Sequence, residues 1–232
     1  MDKCVTKKYT QVSKNFFEDD AWSHGHLVCG IDEVGRGCLA GPVVVAAAVL
    51  HPYAHHDLLR DSKVLTAGQR EAAYDWIVEH CKYYAVATVG SHVVDAINIY
   101  QATLKGMQRA YIHLADQQMN SNDTLKYAVV DAMPLIIPKA YASDGLEVCY
   151  FTKGESLSTS IAAASIIAKV TRDRLMNRFD KLFPSYAFAQ HKGYATKEHM
   201  DAIVHVGVSI AHRRTFLKML DEKECTGQQS IF

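Results

Sequence analysis

Leu27-Val28-Cys29-Gly30-Ile31-Asp32-Glu33-Val34-Gly35-Arg36-Gly37 starts as an apolar run, reaches two adjacent carboxylates and closes on an arginine between two glycines. A Gly/Pro-rich turn then leads into Val43-Val44-Val45-Ala46-Ala47-Ala48-Val49-Leu50, which is apolar throughout. Leu27 to Asp32 and Val43 to Leu50 together predict a hairpin of buried strands, and the sheet starts there. In an extended strand Asp32 and Glu33 point to opposite faces, so both can serve one ion only where the strand ends or twists. Gly35 and Gly37 suit such a place because they let the main chain approach a ligand with no Cβ in the way. Arg36 can neutralise a phosphate there. On this motif alone, a strand end with solvated acids and a tight turn explains the same residues.

Outward from the hairpin, helical and extended patterns alternate. A helix is expected from about Ala67 to Cys81, a strand over Tyr83 to Val89 and a longer helix over Asn98 to Gln118, with Ala102, Leu104, Met107, Tyr111 and Leu114 at helical spacing. Ser121-Asn122-Asp123 breaks that helix ahead of a strand, Tyr127 to Asp131. A short strand over Val148 to Thr152, a helix from about Thr159 to Phe179 and two helical stretches near Thr196 to His205 and Arg213 to Lys223 complete the pattern. The fold class is α/β: a mixed sheet flanked by helices, with a C-terminal helical extension. Residues 1–25 read as an N-terminal extension, 26–223 as the catalytic domain and 224–232 as a tail.

The 232 residues are 49% apolar, enough for a sizeable core. No run approaches the roughly 18 apolar residues of a membrane span, and Met1 to Asp20 lacks the apolar h-region of a signal peptide. A cytoplasmic, monomeric protein without membrane contact is expected. The six cysteines form no C-x-x-C pair, which favours reduced thiols. Net charge is zero, yet Lys153 to Lys218 carries eleven Lys or Arg against five acids. That stretch fits a polyanion footprint or a solvated helical face.

Asp131 ends its strand as Asp32 and Glu33 end theirs, the usual location of sites in α/β sheets. Clustered carboxylates repel one another, and a hard divalent cation offsets that repulsion. Mg²⁺ prefers a few carboxylates, waters and phosphate oxygens. Two ions roughly 3.5 to 4 Å apart would activate water and stabilise a leaving oxygen. The implied chemistry is phosphodiester hydrolysis.

Eight ordered blocks resemble bacterial ribonuclease HII. They are Gly30 to Gly37 with Ala40-Gly41-Pro42; Asp61-Ser62-Lys63-Val64-Leu65; Asn98-Ile99-Tyr100-Gln101-Ala102-Thr103; Val130-Asp131; Lys153-Gly154-Glu155-Ser156; Ser160 to Arg174; Gln190-His191-Lys192-Gly193-Tyr194; and His212-Arg213-Arg214-Thr215-Phe216. The resemblance implies a ribonuclease H-like fold and cleavage of RNA in RNA·DNA hybrids, including a lone ribonucleotide in duplex DNA, with Mg²⁺ or Mn²⁺. It assigns Asp32, Glu33 and Asp131 to an acidic quartet. Glu155 falls where the fourth acid, normally aspartate, belongs, and Ala132 replaces the usual glycine after Asp131. Type III relatives use glutamate in a fourth acidic position, but they carry a sizeable N-terminal domain and lack the Gly-Arg-Gly signature. The alternative from another class is a catalytically silent hybrid-binding protein.

The resemblance further implies that main-chain groups of Gly35, Arg36 and Gly37 contact the ribose 2′-OH, which both donates and accepts a hydrogen bond. Tyr194 would stack on the next, deoxyribose, sugar. Lys63, Lys169 and Arg172 are candidate phosphate contacts, although Lys169 can equally snorkel from a tightly packed helix. His212-Arg213-Arg214 reads as a helix start with solvated charges. The last five residues, Gln228-Gln229-Ser230-Ile231-Phe232, resemble the clamp-binding peptide of bacterial replication and repair proteins. Gln228, Ile231 and Phe232 would dock in the apolar groove of a sliding clamp; a frayed tail is the alternative.

Overall fold

The computed structural model describes residues 6–59 and 62–217. In chain order the first half contains β1 (Thr6–Lys8), α1 (Phe16–Ser23), β2 (Leu27–Val34), β3 (Val43–Leu50), α2 (Ala67–His80), β4 (Cys81–Val89) and α3 (Ser91–Gln118). The second half adds β5 (Leu125–Asp131), β6 (Glu147–Phe151), α4 (Gly154–Leu157), α5 (Thr159–Leu182), α6 (Phe188–His191) and α7 (Lys197–Val206). The expected hairpin forms the middle of one mixed sheet, in the order β1-β6-β5-β2-β3-β4. β2, β3 and β4 pair antiparallel, whereas β5, β6 and β1 add to the other edge of β2 in parallel.

β3 is apolar at every position because helices cover both faces of it. Val43, Val45, Ala47 and Val49 pack with Met107, Ala110, Tyr111 and Leu114 of α3. Val44, Ala46, Ala48 and Leu50 pack with Ala73 and Ile77 of α2 and with Ile166 and Ile167 of α5. The period of two along the strand thus divides its side chains between two helical layers.

Local signals set the helix starts. Thr66 and Gln69 form a reciprocal capping box on α2, with N–H to side-chain oxygen distances of 2.9 and 3.3 Å. α3 begins earlier than the expected Asn98, but it kinks there: Asn98 has φ 64° and its Oδ1 accepts the Gln101 N–H at 3.0 Å. The asparagine therefore caps the longer segment that its periodicity predicts. α5 lies so close to β2 that a Cβ on Gly30 would stand 2.0 Å from the Ser160 carbonyl carbon. Glycine at that position seats the helix two residues before Asp32.

The segment read as an N-terminal extension contributes the edge strand β1 and the helix α1. Phe17 and Ala21 of α1 pack with Val28, Val129, Phe151 and Ile161. At the other end, Tyr186, Phe188 and Ala211 pack on Ala40 and Met176, next to the turn that joins β2 to β3. Among the described residues Cys29, Cys38, Cys81 and Cys149 are free thiols. No described helix is long and apolar enough to cross a membrane. The Gln228 to Phe232 peptide lies outside the described residues.

Candidate active site

The parallel register sets Ile31 beside Val130, which leaves Asp32 and Asp131 side by side at the ends of their strands. Asp32 shares its strand parity with Val28 and Gly30, on the α5 side, as Asp131 does with Val129. Glu33 has the opposite parity, as expected of neighbours in a strand. It contributes at this end because β2 stops at Val34 and Arg36 turns back to it, Nη1 to Oε1 at 3.3 Å. The Glu33 N–H donates to Asp32 Oδ1 at 2.8 Å. Asp131 Oδ1 accepts the Gly154 N–H at 2.9 Å, and the next residue, Glu155, enters from α4. Its carboxylate is buried; Oε2 accepts from Ser165 Oγ of α5 at 2.8 Å and Oε1 pairs with Lys63. Three separate elements thus bring the four acids named from sequence to one end of the sheet.

The charges of Asp32 and Glu33 are poorly compensated. Burial raises the Asp32 pKa well above the usual carboxylate range, and Glu33, Asp131 and Glu155 push it further. Burial also lifts Glu33 to about 7, against the pull of Arg36. Glu33 Oε2 is buried with no hydrogen-bond partner. A repelling, all-oxygen donor set with an orphaned oxygen fits a hard divalent cation. Among the described residues no three or more His, Cys, Asp or Glu side chains form a ready-made group for holding a metal ion.

The glycine loop is shaped from below by two buried arginines. Arg213 donates to the carbonyls of Gly35 at 2.7 Å, Arg36 at 2.8 Å and Gly41 at 2.8 and 3.1 Å. In a trans peptide the C=O and the following N–H point oppositely. Turning the Gly35 and Arg36 carbonyls inward therefore turns the Arg36 and Gly37 N–H groups away from the guanidinium. Arg172 donates to the carbonyls of Ala40 at 3.1 Å, Pro42 at 3.0 Å and Lys192 at 2.8 Å. It thereby ties the loop to the turn that carries Tyr194. The Gly193 carbonyl accepts the Leu39 N–H at 2.8 Å, which joins the same two segments. Tyr194 is 42% exposed, and its ring centroid lies 5.9 Å from the Arg172 guanidinium carbon.

Two sequence expectations change. Arg172 is fully buried and its guanidinium is engaged by three carbonyls, so it builds the loop and does not meet a phosphate. Arg213 and His212 are buried, not solvated, and among that group Arg214 alone is exposed. Sequence reading missed the part that Arg213 plays; its place in a matched block beside a histidine was the available signal. Lys63 stands beside Glu155, and Lys169 pairs with Asp173 at 2.8 Å one helical turn on. Ser62 and Ser165, joined at 2.9 Å, form the floor under Glu155.

Known proteins resemble this chain in sequence and in fold. The ribonuclease HII family model matches residues 29–219. Ribonuclease HII of Enterococcus faecalis is 46% identical over 206 residues, 88% of this chain and 75% of that protein. The Acholeplasma laidlawii enzyme is 40% identical over 86% of this chain and 92% of its own length. Among solved structures, RNase HII from the PCNA:RNase HII complex of Archaeoglobus fulgidus superposes with a TM-score of 0.63 at 27% identity, covering 81% of this chain and 93% of that one. Ribonuclease H2 of Pyrococcus horikoshii shares the fold, with a TM-score of 0.64 at 24% identity over 85% of this chain and 98% of that one. With the motifs, the sheet and these relatives in agreement, the chain belongs to the ribonuclease HII family and is a ribonuclease H enzyme.

Proposed function

We propose that this ribonuclease H hydrolyses the RNA strand of RNA·DNA hybrids and incises 5′ of single ribonucleotides in duplex DNA, leaving 3′-OH and 5′-phosphate ends. The observation that carries the reading is the adjacency of two unlike devices: buried and half-buried acids that repel one another at the strand ends, and a loop whose amides turn outward beside them. Asp32, Glu33, Asp131 and Glu155 would hold divalent ions, two when substrate is present. When bound, Mg²⁺ or Mn²⁺ supplies the Lewis acidity that activates water and offsets charge on the leaving oxygen. A manganese complex of a type III relative, which shares the fold at a TM-score of 0.58 and 18% identity over 85% of this chain and 72% of that one, is in keeping with those metals.

The chain's own residues do the selecting. Amides of Arg36 and Gly37, with the main chain of Gly35, meet the 2′-OH and the neighbouring phosphate, and the Arg36 side chain bridges that loop to Glu33. Tyr194, partly exposed on the adjoining turn, stacks on the following deoxyribose. Lys63 and Lys169 position the backbone as point charges. The enzyme works as a cytoplasmic monomer in ribonucleotide excision repair and DNA replication. A sliding clamp is a further partner, a reading supported by the PCNA complex of the Archaeoglobus relative, and Gln228, Ile231 and Phe232 would dock on it.

The test is incubation with Mg²⁺ or Mn²⁺ and a DNA duplex containing one ribonucleotide, with an all-DNA duplex and Asp131→Asn as controls. Incision 5′ of the ribonucleotide, leaving a 3′-OH and absent from both controls, is expected. Binding without incision would replace this reading by the silent hybrid-binding protein.

A further inference from the structure

We infer that Asn15 and Glu18, which precede the family-matching residues 29–219, are positioning residues that hold the Glu155 carboxylate in place through the joint between α4 and α5. The inference rests on the reading of Glu155 as one of the four catalytic acids.

α4 is a four-residue helix, too short to fix a side chain by its own hydrogen bonds. Its direction is set where it meets α5, at Leu157-Ser158-Thr159, and α1 grips that joint. The Asn15 N–H donates to the Leu157 carbonyl at 2.7 Å, and Asn15 Oδ1 accepts the Thr159 N–H at 3.2 Å. Asn15 reaches both sides of the joint from the left-handed region, φ 56° and ψ 25°, which asparagine tolerates better than most residues.

Glu18 completes the grip. Its Oε1 accepts from Ser158 Oγ and from the Ser160 N–H at 3.1 Å, while Ser158 Oγ in turn accepts the Ile161 N–H at 3.2 Å. The first-turn donors of α5 are thus satisfied partly by a carboxylate lent from another helix. That carboxylate also lies at the positive end of the α5 dipole. On the opposite side of the joint, Gly30 and Gly154 leave no slack: a Cβ on Gly154 would stand 2.7 Å from Ile161 Cδ1 and 3.1 Å from Asp131 Oδ1. α5 also supplies Ser165, which holds Glu155 Oε2. The backbone and the tip of Glu155 therefore both depend on the angle that Asn15 and Glu18 set. Glu18 itself is wholly buried, and its Oε2 has no hydrogen-bond partner.

The experiment measures kcat and KM for the single-ribonucleotide duplex at a temperature well below melting, with Glu18→Ala, Glu18→Gln, Asn15→Ala, Glu155→Gln, Glu155→Asp and the Glu18→Ala/Glu155→Asp double variant. Glu18→Ala should lower kcat by about tenfold, the scale seen when the support of a metal-holding group is removed, with KM unchanged. Glu18→Gln, which keeps the accepting oxygen, should restore the rate. Asn15→Ala should lower kcat in the same direction, which covers the case in which Glu18→Ala does not fold. The double variant should lose less than the product of its two single losses, because both act on one carboxylate. A Glu18→Ala or Asn15→Ala enzyme with a lower Tm but unchanged kcat, or losses that simply multiply, would overturn the inference. A fully active Glu155→Gln enzyme would instead remove Glu155 from the catalytic set, and the inference with it.

Discussion

The acid-bearing strand ends and the glycine loop beside them bury charge in opposite ways. At the strand ends, four carboxylates crowd together while Arg36 and Lys63 supply the ion pairs to Glu33 and Glu155. In the loop, Arg172 and Arg213 are fully buried and direct their hydrogen bonds to main-chain carbonyls. The difference follows from donor inventory. A guanidinium carries five N–H donors in a fixed fork, and a turn rich in free carbonyls can satisfy it. A carboxylate only accepts, and most strand amides are already engaged in the ladder, so that Asp32 and Asp131 draw on the Glu33 and Gly154 N–H groups. In the loop buried positive charge builds the structure, whereas at the strand ends the charges of Asp32 and Glu33 are left without matching partners, as the proposed metal role requires.

Removing one charge from each region should therefore have opposite effects on stability. Asp32→Asn keeps an oxygen for the Glu33 N–H, now 2.8 Å away, and relieves the repulsion that raises the Asp32 pKa. At neutral pH, burying the Asp32 charge opposes folding, because its folded pKa lies above its unfolded one. In EDTA the variant should melt higher than the wild type. Its cleavage with Mg²⁺ should fall by more than the ~100-fold that loss of a supporting partner costs. A variant that is both destabilised and active would break the comparison from the acid side.

Arg213→Met tests the other side. It strands the carbonyls of Gly35 and Arg36 and leaves Gly41 only the 3.4 Å bond from Ser91 Oγ, and at roughly 1 kcal/mol or more per buried unsatisfied group the loss should be about 2 kcal/mol or more in urea unfolding. Arg213→Lys should recover only part of it, because one ammonium cannot span three carbonyls as a planar fork does. Burial already pulls the Arg213 pKa down to about 10, so this charge too is held against desolvation. Unchanged stability in Arg213→Met would mean that the loop keeps its shape without the guanidinium.

The sequence made the acids more legible than their supports. Asp32, Glu33 and Asp131 end apolar runs, and a strand end is a local pattern that can be read residue by residue. The hairpin, the long helix and its cap at Asn98 were legible for the same reason, since period and capping residues act over a few positions. Arg172 and Arg213 were misread because an arginine in a polar stretch looks the same whether it meets solvent or buried carbonyls. Their partners, Ala40, Pro42, Gly41 and Gly35, lie more than a hundred residues away in sequence. The role of α1 was hidden likewise, because Glu18 reaches Ser158 and Ser160 across 140 and 142 positions. What was missed was tertiary hydrogen bonding, which leaves no periodic trace.

The smallest expected change in stability falls within the loop itself, where its two glycines answer to different demands. Gly35 has φ 91°, and a Cβ there would come within 2.2 Å of Arg172 Nε, so the folded chain itself requires glycine. Gly37 has no such conformation, and a Cβ would meet nothing within 4 Å. The protein thus gives no packing reason for glycine at 37, and the space above it is where a ribose or phosphate would approach the outward amide. Gly37→Ala should fold normally, with unfolding free energy equal to the wild type or higher by up to ~1 kcal/mol, since alanine restricts the unfolded chain. Incision at a single ribonucleotide should nevertheless fall by about tenfold, the size of a ~1.4 kcal/mol loss in transition-state binding. Ion binding at the acids, measured by calorimetric titration with Mn²⁺, should stay the same. Full activity in Gly37→Ala would mean that substrate does not approach the main chain there, and the proposed division between a metal-holding strand end and a sugar-reading loop would have to be redrawn around Tyr194.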